Sequence, residues 1–120
     1  MSKTVDPACD AYQRAIALLA RPWTALILGV MQSGPLRFSE LEQSCHGVGA
    51  KVLSARLKEL EARGIVVRHV ETTAPIRVEY ALTARGRAFG EVAAAIERWG
   101  KHLVAAVPSP APRSKPKARV

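Results

Sequence analysis

Several features that define common protein classes are scarce or absent in this sequence. No apolar run approaches the roughly 18 residues of a membrane span, and the first ten residues lack the apolar core of a signal peptide. Only two of the 120 residues are cysteines, too few for a disulfide framework. We therefore expect a cytoplasmic protein without a membrane partner, whose thiols are reduced.

Acidic residues are also scarce, 10 against 18 Lys and Arg, and the excess of positive charge is unevenly placed. Residues 48–87 hold eight cations and four acids, whereas residues 108–120 hold four cations and no acid. This asymmetry favours a polyanionic partner, although a solvated surface that only keeps the protein soluble is the alternative. Because the last segment is rich in Pro, Lys and Arg, we predict one folded domain over 1–107 and a disordered tail over 108–120.

The first third of the chain predicts two helices. Asp6 followed by Pro7 indicates a helix start, with Asp6 as the N-cap. Arg21-Pro22 interrupts the helical pattern, and Ser33-Gly34-Pro35 ends the helix that follows. The predicted apolar face of this second helix consists of Trp23, Leu26, Ile27, Val30 and Met31.

Two further helices are indicated by caps and glycines. Ser39 and Glu42 have the spacing of a capping box, which predicts a short third helix. Gly47 and Gly49 allow a tight turn before a fourth helix, and Gly64 is suited to end it in a left-handed conformation.

The remaining pattern predicts a hairpin and a last helix. Residues 65–72 are β-branched and residues 77–82 alternate between apolar and polar, so the two segments form paired strands. Thr83 is predicted to cap a last helix that runs to about Leu103. Its apolar stripe consists of Phe89, Val92, Ala93, Ile96, Trp99 and Leu103. The predicted fold is mostly α with a small β-hairpin, in the order α-α-α-α-β-β-α.

The fourth helix has two unlike faces. Leu53, Leu57 and Leu60 lie within about 60° of one another on a helical wheel. The opposite side carries Lys51, Ser54, Ala55, Lys58 and Ala62. Lysines reach phosphates or guanine edges, and alanines permit close approach, so this face suits a DNA major groove. The alternative is an ordinary amphipathic surface helix.

The neighbouring segments favour the first interpretation. A short capped helix, a glycine turn and a second helix with a cationic face follow one another as in a helix-turn-helix, and a hairpin directly after it resembles a wing. Arg68 and Arg77 of the hairpin suit phosphates. Arg77 could equally pair with Glu71 or Glu79.

Together these segments resemble the HxlR-type winged helix-turn-helix transcriptional regulators, relatives of the MarR group. The matching pieces are Cys9, Trp23, RFSEL at 37–41, KVLSARLKELEARGIV at 51–66, VEYALTARG at 78–86 and Trp99-Gly100. The resemblance implies a homodimer that binds operator DNA through the fourth helix, with dimer contacts from the first and last helices. It implies no cofactor.

The expected DNA-binding residues combine the wheel, the wing and the resemblance. They are Gly49, Lys51, Ser54, Ala55, Arg56, Lys58, Arg68 and Arg77. We expect Lys51, Ser54 and Lys58 to read or position the DNA, while Arg56 and the two wing arginines neutralise phosphates. Gly49 departs from the family, which usually has Ser there. The alternative function is a winged-helix interaction module with only non-specific DNA affinity.

The cysteines and histidines are candidates for redox or metal chemistry. Some members of this family sense oxidants or electrophiles through a cysteine at the position of Cys9, which makes it a possible redox sensor. If Asp6 caps the first helix, Cys9 is its third residue, where free amides would lower the thiol pKa. The alternative is that Cys9 has no functional role. Cys45 is a second, weaker candidate for a redox sensor. Cys45-His46 with distant histidines is no zinc pattern, and no catalytic motif is present.

Overall fold

The computed structural model describes residues 5–6 and 8–106, which form six α-helices and one antiparallel hairpin. In chain order they are α1 (Asp10–Leu19), α2 (Thr24–Val30), α3 (Phe38–Ser44), α4 (Ala50–Ala62), β1 (Val66–Glu71), β2 (Arg77–Leu82), α5 (Ala84–Arg87) and α6 (Phe89–Ala106). The predicted class, mostly α with a small hairpin, is confirmed. The chain divides into two compact units between Gly90 and Glu91. The basic tail lies outside the described residues, so the 1–107 boundary stays a prediction.

The start of α1 differs from the prediction. The N-cap is Cys9, and the helix begins at Asp10. The Asp6 carboxylate instead accepts a hydrogen bond from the Ala8 amide at 2.9 Å, so it closes a turn before the helix. Pro7 lies outside the described residues. The expectation that Cys9 is the third helical residue is therefore wrong.

The break between α1 and α2 is confirmed, and the predicted apolar face of α2 is confirmed except at one residue. Ile27 and Met31 are buried, and Trp23 and Val30 are half-buried against the core. Leu26 is 47% exposed, whereas Leu28 is only 2% exposed. The buried residues are Thr24, Ile27, Leu28 and, in the 3₁₀ turn that follows, Met31. Because nearly every residue of α2 is apolar, the periodicity did not show that Leu28 is buried and Leu26 exposed.

The cap of α3 is formed two residues earlier than predicted. Arg37 is the N-cap, and its backbone N–H donates to the Glu40 carboxylate at 2.8 Å. The capping box of Ser39 and Glu42 is therefore wrong, since both residues lie inside the helix. Two acids, Glu40 and Glu42, each lie three residues after a residue that can cap the helix, and the structure uses Glu40.

The bounds of α4 agree with the prediction. Gly49, in an extended conformation, is its N-cap. Gly64 follows its C-terminus with φ of 72°. The Gly64 amide donates to the Glu61 carbonyl at 3.0 Å and the Ile65 amide to the Leu60 carbonyl at 2.9 Å. This pair of bonds is the Schellman motif, which only a residue tolerant of positive φ completes without strain.

The hairpin pairs Val66 with Leu82 at its base and Glu71 with Arg77 at its tip. Leu36, in the segment before α3, extends the pairing because it exchanges two backbone hydrogen bonds with Tyr80, at 2.8 and 2.9 Å. The wing is thus anchored to the helix-turn-helix through main-chain bonds.

The predicted last helix is two helices. Thr83 does act as a cap, but of the short α5: its hydroxyl oxygen accepts from the Gly86 amide at 3.3 Å. The same hydroxyl donates to the Gly64 carbonyl at 2.6 Å. α6 then begins separately at Phe89. Gly86 is buried against the Ile65 carbonyl, and a Cβ there would overlap that oxygen.

The hydrophobic core lies in the first unit, between the helix-turn-helix and the base of the wing. Its buried apolar residues are Ile27, Leu28, Met31, Leu41, Cys45, Val48, Leu53, Leu57, Leu60, Ile65, Val66 and Leu82. No single helix of the described residues is long and apolar enough to cross a membrane; only α1 and α2, taken together as a pair bent by 87°, reach that length and apolarity.

Candidate nucleic-acid interface

The two faces of α4 are divided as the wheel predicts. Leu53, Leu57 and Leu60 are at most 1% exposed, so the helix is fixed to the core by one leucine stripe. The other side carries Lys51, Ala55 and Lys58, all exposed, with Ser54 half-buried at its edge. Among the described residues, neither lysine takes part in an ion pair, so both ammonium groups are available to a partner.

The turn before α4 is short and tightly bonded. The Cys45 amide donates to the Leu41 carbonyl and the Val48 amide to the Cys45 carbonyl, at 2.9 and 3.0 Å. Gly47 takes φ of 97°, a conformation that favours glycine. Cys45 and Val48 are buried, so the turn itself belongs to the core and holds α3 and α4 in a fixed relation.

The two arginines of the wing lie on opposite faces of the hairpin. Arg68 pairs with Tyr80 and Arg77 pairs with Glu71. Because successive strand residues point to alternate faces, Arg68 shares its face with Tyr80, whereas Arg77 shares the other with Glu71 and Glu79. Among the described residues, Arg77 forms no ion pair with either acid. Its face nevertheless carries more acid than base, so the wing is asymmetric in charge.

Arg68 and the outer face of α4 line the same notch. Its volume is about 300 Å³. Its lining residues are Ser54, Leu57, Lys58, Glu61, Arg68 and Tyr80. Two cations that are 10 residues apart in sequence therefore converge on one concave surface, between the helix and the wing. Hydroxyl groups of Ser and Tyr add hydrogen-bonding capacity, so the notch has the chemistry of a phosphate contact.

Arg56 lies differently from the other predicted residues. Its side chain is 13% exposed. Its Nε donates to the Pro22 carbonyl at 2.8 Å, and its Nη1 donates to the Glu59 carboxylate at 3.4 Å. The guanidinium is thus occupied by its own chain. A phosphate-neutralising role for Arg56 stays a prediction, which this geometry does not favour.

Two residues of the notch were not singled out from the sequence. Tyr80 lies in the second predicted strand, but its position opposite Arg68 follows from the strand register, which the sequence pattern does not give. Glu61 lies one turn beyond Leu57 on α4. Glu61 lines the notch only because the hairpin packs beside α4, and the local sequence pattern does not predict that packing.

The two cysteines differ in access. Cys9 is exposed at the start of α1, whereas Cys45 is fully buried, and burial raises the pKa of the Cys45 thiol. Cys45 is therefore protonated and shielded at neutral pH. No group of three or more His, Cys, Asp or Glu side chains that could hold a metal ion occurs among the described residues.

A helix-turn-helix with a cationic outer helix and a following hairpin defines a winged helix-turn-helix protein of the DNA-binding class. The model of the HxlR-like helix-turn-helix family matches residues 18–107, so the chain belongs to that family. It is a transcriptional regulator of the HxlR type, as the resemblance predicted.

Its relatives include proteins and solved structures of the same kind. The chain is 40% identical over 96 residues to the HTH-type transcriptional regulator YvaP of Bacillus subtilis (strain 168), covering 80% of this chain and 89% of YvaP. The reduced form of the regulator YodB from B. subtilis superposes with a TM-score of 0.75 at 34% identity, over 83% of this chain and 98% of YodB. The redox regulator HypR in its reduced form gives 0.73 at 28% identity, over 82% of this chain and 100% of HypR. YodB has also been solved after diamide treatment and with bound quinone.

Proposed function

We propose that this protein is a cytoplasmic regulator that binds a pseudo-palindromic DNA operator as a homodimer, with α4 as the reading helix. The observation that carries the proposal is the notch that Lys58 and Arg68 line together with Ser54. A backbone phosphate held there would place the exposed N-terminal half of α4, with Lys51 and Ala55, against the base edges of the adjacent major groove.

The exposed apolar surface supports the homodimer. On α6, Ile96, Trp99 and Leu103 are 44%, 63% and 50% exposed, although they recur at helical spacing. Tyr12 and Ile16 of α1 are also 42% and 49% exposed. Aromatic and aliphatic side chains of this kind are typical of interface cores. A second copy that covers them would present two reading helices about 34 Å apart, one for each half-site.

Selection of bound fragments from random-sequence duplexes tests the proposal. We expect enrichment of one inverted repeat, because a symmetric dimer reads the same half-site twice. With on the order of eight phosphate contacts per dimer, the logarithm of the affinity should fall with the logarithm of salt concentration at a slope of about −7. Enrichment of no sequence, with weak binding to all duplexes, would instead support an interaction module.

We further propose that an oxidant or electrophile regulates DNA binding through Cys9. Its exposure at the start of α1 supports this role, and so do the quinone-bound and diamide-treated forms of YodB. Diamide or a quinone should change the affinity for the selected duplex in the wild type and in Cys45→Ala, but not in Cys9→Ser. An equal response of Cys9→Ser would exclude Cys9 as the sensor.

A further inference from the structure

The connection between α1 and α2 is fastened to α4 by a forked ion pair. The Arg21 Nη2 lies 2.5 Å from one Glu59 carboxylate oxygen, and its Nε lies 3.3 Å from the other. The two residues are 38 positions apart in sequence. The hydrogen bond to Glu59 raises the pKa of Arg21, and the same bond, ahead of any charge effect, lowers the pKa of Glu59. Both groups are therefore charged at neutral pH.

Arg56 adds a second attachment at the same place. Its Nε reaches the Pro22 carbonyl at 2.8 Å, next to Arg21, while its Nη1 reaches Glu59 at 3.4 Å. Glu59 thus lies between two guanidinium groups, one on the connection and one on its own helix. The Arg56 side chain is only 13% exposed, so most of it is buried between the helix and the connection, although its bond to the Pro22 carbonyl lies at the surface.

The residue that follows is in an unusual conformation. Trp23 has φ of 73°, in the left-handed region that bulky side chains rarely adopt. Its ring packs against Gly47 of the turn before α4, where a Cβ would lie 3.4 Å from the ring. A conformation of this kind persists only where the surrounding contacts determine it. The four-residue connection, residues 20–23, therefore contacts both α4 and the turn that leads into it.

We propose that Arg56 and Glu59 are positioning residues, which set the orientation of α4 for DNA reading by fastening it to the connection between α1 and α2. This inference rests on the proposed function of α4. It assigns Arg56 a role inside the protein, in place of a contact to phosphate. It also explains a carboxylate at position 59 of a helix that meets DNA, where an acid alone would repel phosphates.

The sign of one substitution separates positioning from simple electrostatics. Glu59→Gln removes a negative charge, so electrostatics alone predicts tighter binding to every duplex. Positioning predicts about tenfold weaker binding to the selected inverted repeat, the effect of roughly one mismatched base pair, with less than about twofold change on a random duplex. Glu61→Gln, two residues further along α4, is the electrostatic comparison: it removes the same charge from the notch itself and should bind both duplexes more tightly. Fluorescence anisotropy on the full chain measures all four affinities.

Arg56→Met tests the second attachment through the salt dependence. Loss of a phosphate contact would weaken binding to both duplexes and make the slope against salt shallower by about 1. Loss of positioning weakens binding to the selected duplex alone and leaves the slope unchanged. Arg21→Ala should weaken binding to the selected duplex as much as Glu59→Gln does. The double variant Arg21→Ala/Glu59→Gln should bind that duplex no more weakly than either single variant, because the same interaction is lost in all three.

A measurement without DNA keeps the two proposals apart. In the wild type, the Nε–H signal of Arg21 should exchange slowly with solvent in NMR spectra, and in Glu59→Gln it should exchange fast while the amide spectrum remains that of a folded protein. The Nε–H signal of Arg56, whose acceptor is the Pro22 carbonyl, should exchange slowly in both. Fast exchange in the wild type, or tighter binding of Glu59→Gln to both duplexes, would overturn the positioning role and leave the proposed function standing. A wild type that prefers no duplex would overturn both.

Discussion

Two helices of this chain carry the same kind of apolar stripe and differ in what covers it. On α4, Leu53, Leu57 and Leu60 are at most 1% exposed. On α6, the corresponding stripe of Ile96, Trp99 and Leu103 is between 44% and 63% exposed. Helical spacing therefore identifies residues that share a face, but it does not reveal whether the chain itself or another molecule covers that face.

The difference follows from what each helix does on its other side. α4 needs one face for the core so that its cationic face is held in place. α6 is alanine-rich, and the stripe residues are apolar. An apolar surface of a partner can therefore pack against the stripe without burying a charge. We attribute the exposed stripe to the proposed dimer, and the following substitutions test the contrast.

The largest effect on stability is expected from a substitution in the buried leucine stripe of α4. Leu57→Ala should lower the free energy of unfolding by about 2–5 kcal/mol, because it removes apolar contacts and leaves a cavity. The loss should not depend on protein concentration. Val52→Ala on the same helix, at a side chain that is 37% exposed, is the control and should change stability by less than about 0.5 kcal/mol. Urea unfolding checks both, and equal losses would contradict the division of α4 into two faces.

A substitution in the exposed stripe of α6 should change the dissociation constant of the dimer. Trp99→Ala should weaken the dimer by about 2 kcal/mol, or roughly 30-fold in the dissociation constant, because aromatic side chains dominate interface cores. Sedimentation equilibrium measures the dissociation constant directly. Lys101→Ala, on the opposite side of α6, is the matched control and should leave it within about twofold. A monomeric wild type would show that the stripe is not covered by a second copy.

The polar sides of the two helices can be compared as well. Lys51→Ala on α4 should weaken binding to the selected duplex by about 1–3 kcal/mol if the ammonium group bonds a base. Lys101→Ala on α6 removes the same charge from the chain and should have a much smaller effect. Similar losses in both variants, measured by anisotropy at one salt concentration, would mean that net charge alone governs the affinity.

The sequence was informative where local chemistry decides the outcome. The ends of α4 are an example, because each depends on one glycine: Gly49 caps the N-terminus, and Gly64 takes the positive φ that follows the C-terminus. It was less informative where several local solutions compete. The uniformly apolar α2 left open whether Leu26 or Leu28 is buried, and the first turns of α3 offered two acids for one cap.

The interface shows the same limit over longer distances. The outer face of α4 could be predicted residue by residue from the helical period. The notch with Arg68, and the use of Arg56 and Glu59 to hold Arg21 and Pro22, join segments that are more than 30 positions apart or meet only through the strand register. Helical spacing and charge patterns do not carry that information, so they do not indicate that the Arg56 guanidinium bonds to the Pro22 carbonyl and to Glu59. The phosphate contact of Arg56 stays a prediction.

The smallest effect concerns the residue that caps the N-terminus of α4. Gly49 caps the helix with φ of −81° and open space around its Cα, so a side chain fits there without strain. Gly49→Ser should raise stability by only a few tenths of a kcal/mol, since the hydroxyl can accept a hydrogen bond from a free amide of the first turn.

Gly47→Ser is the contrasting variant of this pair. There φ is 97° and the Trp23 ring lies against the site, so the same side chain should lower the melting temperature. Thermal unfolding measures the melting temperatures of the two variants. A lower melting temperature for Gly49→Ser would contradict the open space found beside Gly49. The DNA affinity of Gly49→Ser then separates two roles of a hydroxyl at this position. If only the cap improves, affinity for selected and random duplexes stays constant. If the hydroxyl also meets a phosphate at the N-terminus of the reading helix, binding to both tightens together.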